Sequence, residues 1–213
     1  MVNCINKKGK VKLLTTKEAI EQRRSIRKFK PDPVPREQID ALLDSARLAP
    51  SACNAQPWRF KIVKDEKTRL KLSQAAFNQA FIAGAPVVFV CCVDINGYLD
   101  GSVSGTQDLG RIKAVDENVV EVVLDRINNV SKMNFEEIGV RIALNTAIAI
   151  EHIVLRALDF GLGTCWVRLF EERNIKSIFG WGNNISVVAL LPTGYPAEFP
   201  PPRNRLSLGT VII

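Results

Sequence analysis

The stretch Pro86–Val93 reads PVVFVCCV, an unbroken apolar run that is rich in β-branched residues. Such a run is typical of a central strand that other elements cover on both faces. Further strands are predicted at about 59–63 and 187–191, and a short one near 165–167. Helical patterns separate these segments without strict βαβ alternation, so we predict an α+β fold in which helices flank one sheet.

The longest helical pattern, Phe135–Phe160, lies downstream of this strand. It is apolar around most of its circumference between Ile138 and Leu158. A helix of that kind must be buried on more than one side, either in the centre of the domain or in a subunit interface. Gly161 and Gly163 follow it and predict where it ends.

Three shorter helices are predicted upstream of the strand, the last of them at 66–76. A T-x-x-E capping box at 15–18 predicts the start of the first, and prolines bound a second between 35 and 50. By contrast, the polar, glycine-containing segment 94–110 is predicted to be a loop or flap. Together with the amphipathic helix predicted after it, we interpret 94–134 as a cap over the functional site.

The composition is that of one packed globular domain, residues 1–213. The chain has 46% hydrophobic residues, 24% charged residues, a net charge of +7 and five cysteines. The cysteines are odd in number and form no C-x-x-C pair, so neither a disulfide framework nor a zinc site is indicated. The N-terminus lacks the apolar region of a signal peptide, and no apolar run approaches the roughly 20 residues that span a bilayer. We therefore expect a cytoplasmic protein with no bound metal and no membrane contact.

The segment RRSIRKF, 23–29, places three arginines and a serine within five residues. Arginine stays charged and matches the geometry of phosphate oxygens, and the Ser25 hydroxyl adds a directional donor. Taken alone, such a cluster is more often a solvated helix end than a binding site. The other basic residues are spread along the chain apart from one tight pair, Arg203 and Arg205, which disfavours a nucleic-acid surface.

Three further segments contain groups that suit a flat, polar ligand. The segment APSACNAQPWRF, 49–60, presents hydroxyl and amide groups in a turn between a helix and a strand. Two glycines in DFGLGTCWV, 159–167, allow a close approach of the backbone to a ligand. The proline-rich segment 192–208 carries the second pair of arginines. Each also has an ordinary interpretation: a helix-to-strand turn, a helix C-cap and a disordered basic tail.

The order and combination of these motifs resemble the nitroreductase family of flavoproteins. The motifs R-R-S-x-R, P-S-A-x-N-x-Q-P-W, G-L-G-T-C-W and G-Y-P-A-E-x-P-x-P-R-x-R occur in the family's order, and the similarity covers roughly 16–205. It implies a nitroreductase-like fold with a central, mostly antiparallel sheet flanked by helices, in an intertwined homodimer. It also implies that both subunits contribute to each FMN site and that 192–213 extends to the partner subunit.

The resemblance also implies contacts to FMN residue by residue. The phosphate and ribityl contacts are Arg23, Arg24, Ser25 and Arg27, completed by Arg203 and Arg205. The second subunit contributes a loop with Pro50, Ser51, Ala52, Asn54 and Gln56, which Trp58 supports. Asn78 is expected at the pyrimidine edge of the flavin, and the ring is expected to lie along Cys165, Trp166, Val167, Arg168 and Leu169. No side chain is assigned as a nucleophile or as a general acid or base.

The implied activity is that of an FMN-dependent oxidoreductase. NAD(P)H reduces the flavin, leaves, and is replaced on the same face by a small oxidised acceptor such as a nitroaromatic or a quinone, in a ping-pong cycle. The fixed charge of Arg168 would favour acidic acceptors. His152, Cys91 and Cys92 are expected to be packing residues, and a redox role for Cys53 stays open.

Two alternatives remain at this point. Some branches of the family dehalogenate aromatics or degrade flavin, and the sequence excludes neither. A basic, non-enzymatic module that binds nucleic acid or an acidic partner is the alternative from another class, and it predicts a colourless protein whose affinity for DNA falls steeply with salt.

Overall fold

The computed structural model describes residues 13–213, in which a four-stranded sheet lies between two groups of helices. The strands are β1 (Trp58–Val63), β2 (Val87–Asp94), β3 (Gly163–Thr164) and β4 (Ile185–Gly194). The helices are α1 (Thr16–Gln22), α2 (Arg36–Arg47), α3 (Glu66–Ala75), α4 (Ala80–Gly84), α5 (Ile95–Arg111), α6 (Glu117–Ser131), α7 (Phe135–Ala157), α8 (Glu172–Phe179) and α9 (Leu208–Val211). The predicted α+β class is confirmed.

Neighbouring strands of the sheet run antiparallel, in the order β1-β2-β4-β3, so that β1 and β3 are its two edges. Trp58, at the start of β1, lies opposite Val93 near the end of β2. Thr164 of β3 lies opposite Thr193 near the end of β4, and Thr193 also pairs with Val87 at the start of β2. The start of β1 and the strand β3 therefore mark diagonally opposite corners of the sheet.

β2 is buried along almost its whole length because each face of the sheet has its own apolar layer. The layer with α2 and α7 contains every second side chain of the strand: Val87, Phe89, Cys91 and Val93. The layer with α3, α4 and α8 contains the alternate ones: Val88, Val90 and Cys92. Successive side chains of a strand point to opposite faces, so the unbroken apolar run supplies both layers. The prediction of a strand covered on both faces is confirmed.

α7 is the long apolar helix that the sequence predicted, and it packs against α2 and the sheet. Ile142 and Ile150 are buried, whereas Val140 and Leu144 are 75% and 69% exposed. By length and composition, Phe135–Phe160 could cross a membrane, contrary to the expectation that no run approached that length, and half of its apolar window is buried within the protein. This helix is therefore packed as the core helix of the domain, with one apolar stripe left uncovered in the single chain.

The segment 94–110 is not the predicted loop or flap but forms most of α5. The Oδ1 atom of Asp94 accepts a hydrogen bond of 3.1 Å from the N–H of Gly97 and so caps the helix. Ser102 and Thr106 are buried at the inner face of α5. Glycine and small polar residues have low helix propensity, which led the sequence interpretation away from a helix, and tertiary packing outweighs that propensity here.

Two other expectations concern strand and helix boundaries. The short strand expected near 165–167 is displaced: β3 ends at Thr164, and Val167 forms only an isolated bridge with Leu190. The capping box at the start of α1 is confirmed, because Thr15 and Glu18 each accept a hydrogen bond from the other's backbone N–H.

The histidine and the buried cysteines have the packing roles that were predicted. His152 Nδ1 lies 3.0 Å from the carbonyl oxygen of Ser45 and links α7 to α2. Burial raises the pKa of the Cys91 and Cys92 thiols well above the ordinary value. Cys4 lies outside the described residues, and the other four cysteines are free thiols.

Candidate functional site

The segment that follows α1 is extended and runs beside β3. Ser25 forms a parallel bridge with Thr164, and the N–H of Ile26 donates to the carbonyl oxygen of Thr164 at 2.9 Å. Because side chains alternate along an extended segment, neighbouring residues of this segment point to opposite sides. Arg24 and Ile26 line a cavity of about 410 Å³ on one side. Arg23, by contrast, lies next to Ser25, with its Nη2 atom 3.5 Å from the Ser25 Oγ.

The side that carries Arg23 and Ser25 also carries Arg27 and Cys165. Burial raises the pKa of the Cys165 thiol, and the charges of Arg27 and Arg23 act in the opposite direction, so both guanidinium groups lie close to that thiol. Arg27 also lies over the ring of Phe81, 5.9 Å from its centroid. The four predicted residues of the R-R-S-x-R motif therefore do not form one cluster. Arg23, Ser25 and Arg27 lie on one side of the segment, and Arg24 lies on the opposite side with Ile26.

The guanidinium groups of Arg23, Arg24 and Arg27 form no ion pair within residues 13–213, although the Glu198 carboxylate binds the segment's backbone. Within the same residues, Arg23 Nε is buried without a hydrogen-bond partner. A buried guanidinium N–H without an acceptor is costly, so the side of the segment that carries Arg23 is suited to an anion.

Glu198 fixes the backbone of the same segment from the C-terminal part of the chain, a role that the sequence interpretation missed. Its Oε1 atom accepts hydrogen bonds from the N–H groups of Arg27 at 2.6 Å and Lys28 at 3.1 Å. Beyond it, Arg203 and Arg205 are exposed, and Arg205 donates only to nearby carbonyl groups. Among the described hydrogen bonds and ion pairs, none joins these two arginines to Arg23 or Arg27.

The residues after β3 continue along the edge of the sheet beside β4. The N–H of Cys165 donates to Pro192 O at 3.2 Å, and Trp166 packs against the layer that contains α7. Arg168 and Leu169 follow and are exposed. The Leu169 carbonyl oxygen accepts a hydrogen bond of 3.0 Å from Gln79 Nε2, which the sequence interpretation did not single out.

Asn78 lies beside this edge, in the turn between α3 and α4. Its φ is 58°, in the left-handed region, and its N–H donates to Ser73 O at 2.9 Å. Because Gln79 bonds to Leu169, the turn with Asn78 is held next to the 165–169 edge. Arg23, Ser25, Arg27, Asn78 and 165–169 therefore lie at one corner of the sheet.

The loop Ser51–Gln56, called here the 51–56 loop, has an unusual backbone. Cys53, Asn54 and Gln56 have φ values of 48°, 53° and 49°. The N–H of Gln56 donates to the Ser51 hydroxyl at 3.0 Å, and Gln56 Nε2 donates to Asn54 Oδ1 at 3.1 Å. The N–H of Ala52 donates to the side-chain oxygen of Asn145, so the loop is also held by α7. Pro50 precedes it and is exposed.

α5 packs directly on the 51–56 loop through two glycines. A Cβ atom at Gly101 would lie 2.6 Å from the carbonyl oxygen of Ala55, and one at Gly105 would lie 1.7 Å from that of Cys53. The four-residue spacing of these glycines was available in the sequence as a close-packing signal. It was interpreted as a sign of a loop instead.

The 51–56 loop and the arginine corner do not meet within one chain. The loop precedes β1 at the Val93–Ser186 end of the sheet, whereas Ser25 pairs with β3 at the Thr193 end. The seven residue steps of β4 between Ser186 and Thr193 correspond to about 23 Å, and the three strand spacings between the edges add about 14 Å sideways. One chain thus places the two predicted halves of the site at opposite corners.

Known proteins resemble this chain over most of its length. The model of the nitroreductase family matches residues 20–195 of this sequence. This chain belongs to the nitroreductase family. An NADH dehydrogenase of Thermus thermophilus is 32% identical over 205 residues, which cover 94% of this nitroreductase-family chain and 96% of that protein.

Two further proteins are similar to this member of the nitroreductase family. An FMN reductase [NAD(P)H] of Bacillus subtilis is 29% identical over 147 residues, 69% of this chain and 51% of that protein. A crystal structure from Exiguobacterium sibiricum, solved in complex with FMN, superposes with a TM-score of 0.75 at 22% identity, over 94% of this chain and 97% of that one. The predicted family, its fold and, at the level of the family, an FMN-dependent NAD(P)H oxidoreductase are confirmed.

Proposed function

We propose that this protein binds FMN between two copies of the chain and uses NAD(P)H to reduce a small oxidised acceptor, such as a nitroaromatic or a quinone, in a ping-pong cycle. The observation that carries this proposal is the arginine corner. Arg23, Ser25 and Arg27 point to one side beside Cys165, and Arg23 Nε is buried there without an acceptor.

The residues at this corner fit the phosphate of FMN. A phosphate monoester carries close to two negative charges and several acceptor oxygens, which matches two guanidinium groups and a hydroxyl. The adjacent edge at 165–169 ends in the exposed residues Arg168 and Leu169, and the left-handed turn at Asn78 adds a side-chain amide. We propose that Arg203 and Arg205, which are exposed in the single chain, complete the phosphate site.

A homodimer would bring the two halves of the site together. In the single chain the 51–56 loop and the arginine corner lie at opposite corners of the sheet, so the loop of one subunit would meet the arginine corner of the other. The apolar stripe of α7 with Val140 and Leu144 is exposed, as are Leu206 and Leu208 in the C-terminal segment. These exposed apolar side chains support an intertwined dimer, because exposed apolar surface often marks a protein–protein contact.

FMN, when bound, would supply the hydride acceptor and donor of the reaction. The task of this chain is then to bind and orient, and to place positive charge where negative charge develops. Arg23 and Arg27 supply that charge at the phosphate end. Arg168, an exposed residue of the 165–169 edge, adds a further positive charge that would favour acidic acceptors. His152 bonds to Ser45 O between α7 and α2, so we assign it no proton-transfer role.

The proposal is tested on the purified full chain. FMN released by heat should approach one molecule per chain, and the protein should sediment as a dimer. Anaerobic NADH or NADPH should bleach the bound flavin, and a nitroaromatic or a quinone should restore its colour. A protein that takes up no FMN would refute the proposal. Flavin that is bound but not bleached would limit the function to flavin binding.

The same preparation separates the proposal from the other candidate class. A nucleic-acid or acidic-partner module would be colourless, and its affinity for DNA would fall steeply between low and moderate salt. The four described cysteines are free, which supports a location in a reducing compartment such as the cytoplasm.

A further inference from the structure

The 51–56 loop adopts a shape that its own residues disfavour. Cys53, Asn54 and Gln56 all have positive φ, and none of them is glycine. Left-handed backbone crowds the Cβ atom of an L-residue, so such a conformation persists only where the surrounding structure imposes it. Hydrogen bonds within the loop hold part of this shape, and contacts from neighbouring helices add to them.

α5 provides the closest of these restraints. At Gly105, an added Cβ atom would lie 1.7 Å from the carbonyl oxygen of Cys53, and at Gly101 it would lie 2.6 Å from that of Ala55. Both nearby atoms belong to the backbone, which cannot rotate away as the end of a side chain can. The two glycines thus let the helix backbone touch the loop backbone at two points, two residues apart in the loop.

A third restraint acts from another direction. The N–H of Ala52 donates to Asn145 Oδ1 at 2.9 Å, and Asn145 is buried in α7. The 51–56 loop is consequently fixed between α5 and α7. Gly110, at the far end of α5, differs from Gly101 and Gly105, because its added Cβ atom would lie 2.9 Å from a side-chain methyl group of Val120 and would meet no backbone atom of the loop.

We propose that Gly101 and Gly105 are positioning residues that hold the 51–56 loop in one preformed shape for the flavin of the partner subunit. This inference rests on the proposed function. Because the loop backbone rests on α5 at Gly101 and Gly105, this part of the helix and the 51–56 loop would move together. Displacing α5 would change the groups that the loop presents to FMN.

The first test measures hydrogen exchange of the protein without FMN. The informative amides are those of Asn54, Ala55 and Gln56, which bond within the loop. In Gly105→Ala their exchange should accelerate at least about ten-fold, because the loop must move away from the new methyl group. Gly110→Ala, the same substitution in the same helix, should leave these amides unchanged.

A second pair of variants tests the inference if Gly105→Ala fails to fold. Cys53→Gly removes the Cβ atom that the left-handed backbone crowds, so it should favour the loop shape and slow exchange about three-fold relative to Cys53→Ala. Cys53→Ala also removes the thiol, but it keeps a Cβ atom and should exchange like the unaltered protein. Equal exchange in the two Cys53 variants would contradict the preformed loop.

The third measurement uses the loaded protein. Gly105→Ala should raise the dissociation constant of FMN about ten-fold or more and alter the visible circular dichroism of the flavin, whereas Gly110→Ala should change neither. If the unaltered protein binds FMN and Gly105→Ala binds it equally well with the same spectrum, the positioning role is wrong. If the unaltered protein binds no FMN, the proposed function itself fails. The exchange data on the FMN-free protein do not depend on that outcome, and they show separately whether α5 holds the loop.

Discussion

The side-chain oxygen of Asn145 accepts a 2.9 Å hydrogen bond from the backbone N–H of Ala52, across 93 residues of sequence. The Asn145 amide in turn donates to Ile142 O within α7. A buried asparagine in an apolar helix is thus satisfied at both ends of its amide group. This single bond links the longest helix of the domain to the 51–56 loop.

Replacing Asn145 with leucine should destabilise the protein by about 1–3 kcal/mol, because the N–H of Ala52 loses its partner in a partly buried position. Urea unfolding followed by circular dichroism measures this change. The matched control is Asn128→Leu on α6, an exposed position where we expect a change within about 0.5 kcal/mol. Equal stability of the two variants would show that the bond to the loop contributes little.

Arg23 and Arg24 are neighbours in sequence but should differ in their effect on FMN binding. Arg23→Ala removes a charged donor on the side of Ser25 and Cys165, and should weaken FMN binding about 10- to 100-fold. Arg24→Ala acts on the opposite side, beside Ile26, and should weaken it by far less. Fluorescence titration of FMN into the apoprotein compares the two variants directly. A larger effect at Arg24 would contradict the division of this segment into two faces.

Stability should decline at alkaline pH because of the buried thiols. Burial raises the pKa of Cys91 and Cys92 in the folded protein, so the folded state holds their protons more tightly than the unfolded state does. This stability is complete below the thiol pKa of the unfolded chain, about 8.5, and is lost as the pH rises above it, by at most about 1.4 kcal/mol per pH unit for each thiol. Urea unfolding between pH 7 and 10 measures the slope.

The double variant Cys91→Ala/Cys92→Ala separates these thiols from lysine and tyrosine, which also titrate in that range. At pH 7 its free energy of unfolding should be lower than that of the unaltered protein, because both substitutions leave space in the core. Its decline above pH 8.5 should nevertheless be shallower. An unchanged slope would assign the alkaline loss to other groups.

Removing the last eight residues, 206–213, should weaken the proposed dimer rather than the fold of the chain. Every residue of this segment is exposed, among them Leu206 and Leu208 at 73% and 75%. Sedimentation at several protein concentrations should show dissociation at a higher concentration than for the full chain, since apolar contacts with the partner are lost. Replacing the exposed Val122 of α6 with serine is the control, and we expect no change in assembly from it.

Much of this fold was predictable because its signals are local. The apolar run of β2 required two covered faces, and the apolar circumference of α7 required burial on several sides. The capping box of α1 formed as expected between Thr15 and Glu18. In each case the residues that carry the signal are neighbours in sequence or along one element.

The errors arose where tertiary contacts decide the outcome. α5 contains Gly97, Gly101 and Gly105, which lower helix propensity. The nearby 51–56 loop explains Gly101 and Gly105, because it leaves no room for a Cβ atom at either position, whereas a Cβ atom at Gly97 would meet the side chains of Asp94 and Arg59. Likewise, Arg23 and Arg24 were predicted to form a single cluster, because the sequence did not show that the segment would pair with Thr164 and direct neighbouring side chains to opposite sides. Glu198 was missed since its partners, the N–H groups of Arg27 and Lys28, carry no sequence signal.

The diagonal placement of the arginine corner and the 51–56 loop has a genetic consequence in the proposed dimer. A subunit altered at Arg23 and a subunit altered at Asn145 would each form defective homodimers. In a mixed dimer, one of the two FMN sites would contain both altered residues, and the other site would contain neither. Co-expressing the two alleles should therefore restore up to one working centre per hybrid molecule, a form of intragenic complementation that a site built within a single polypeptide could not produce.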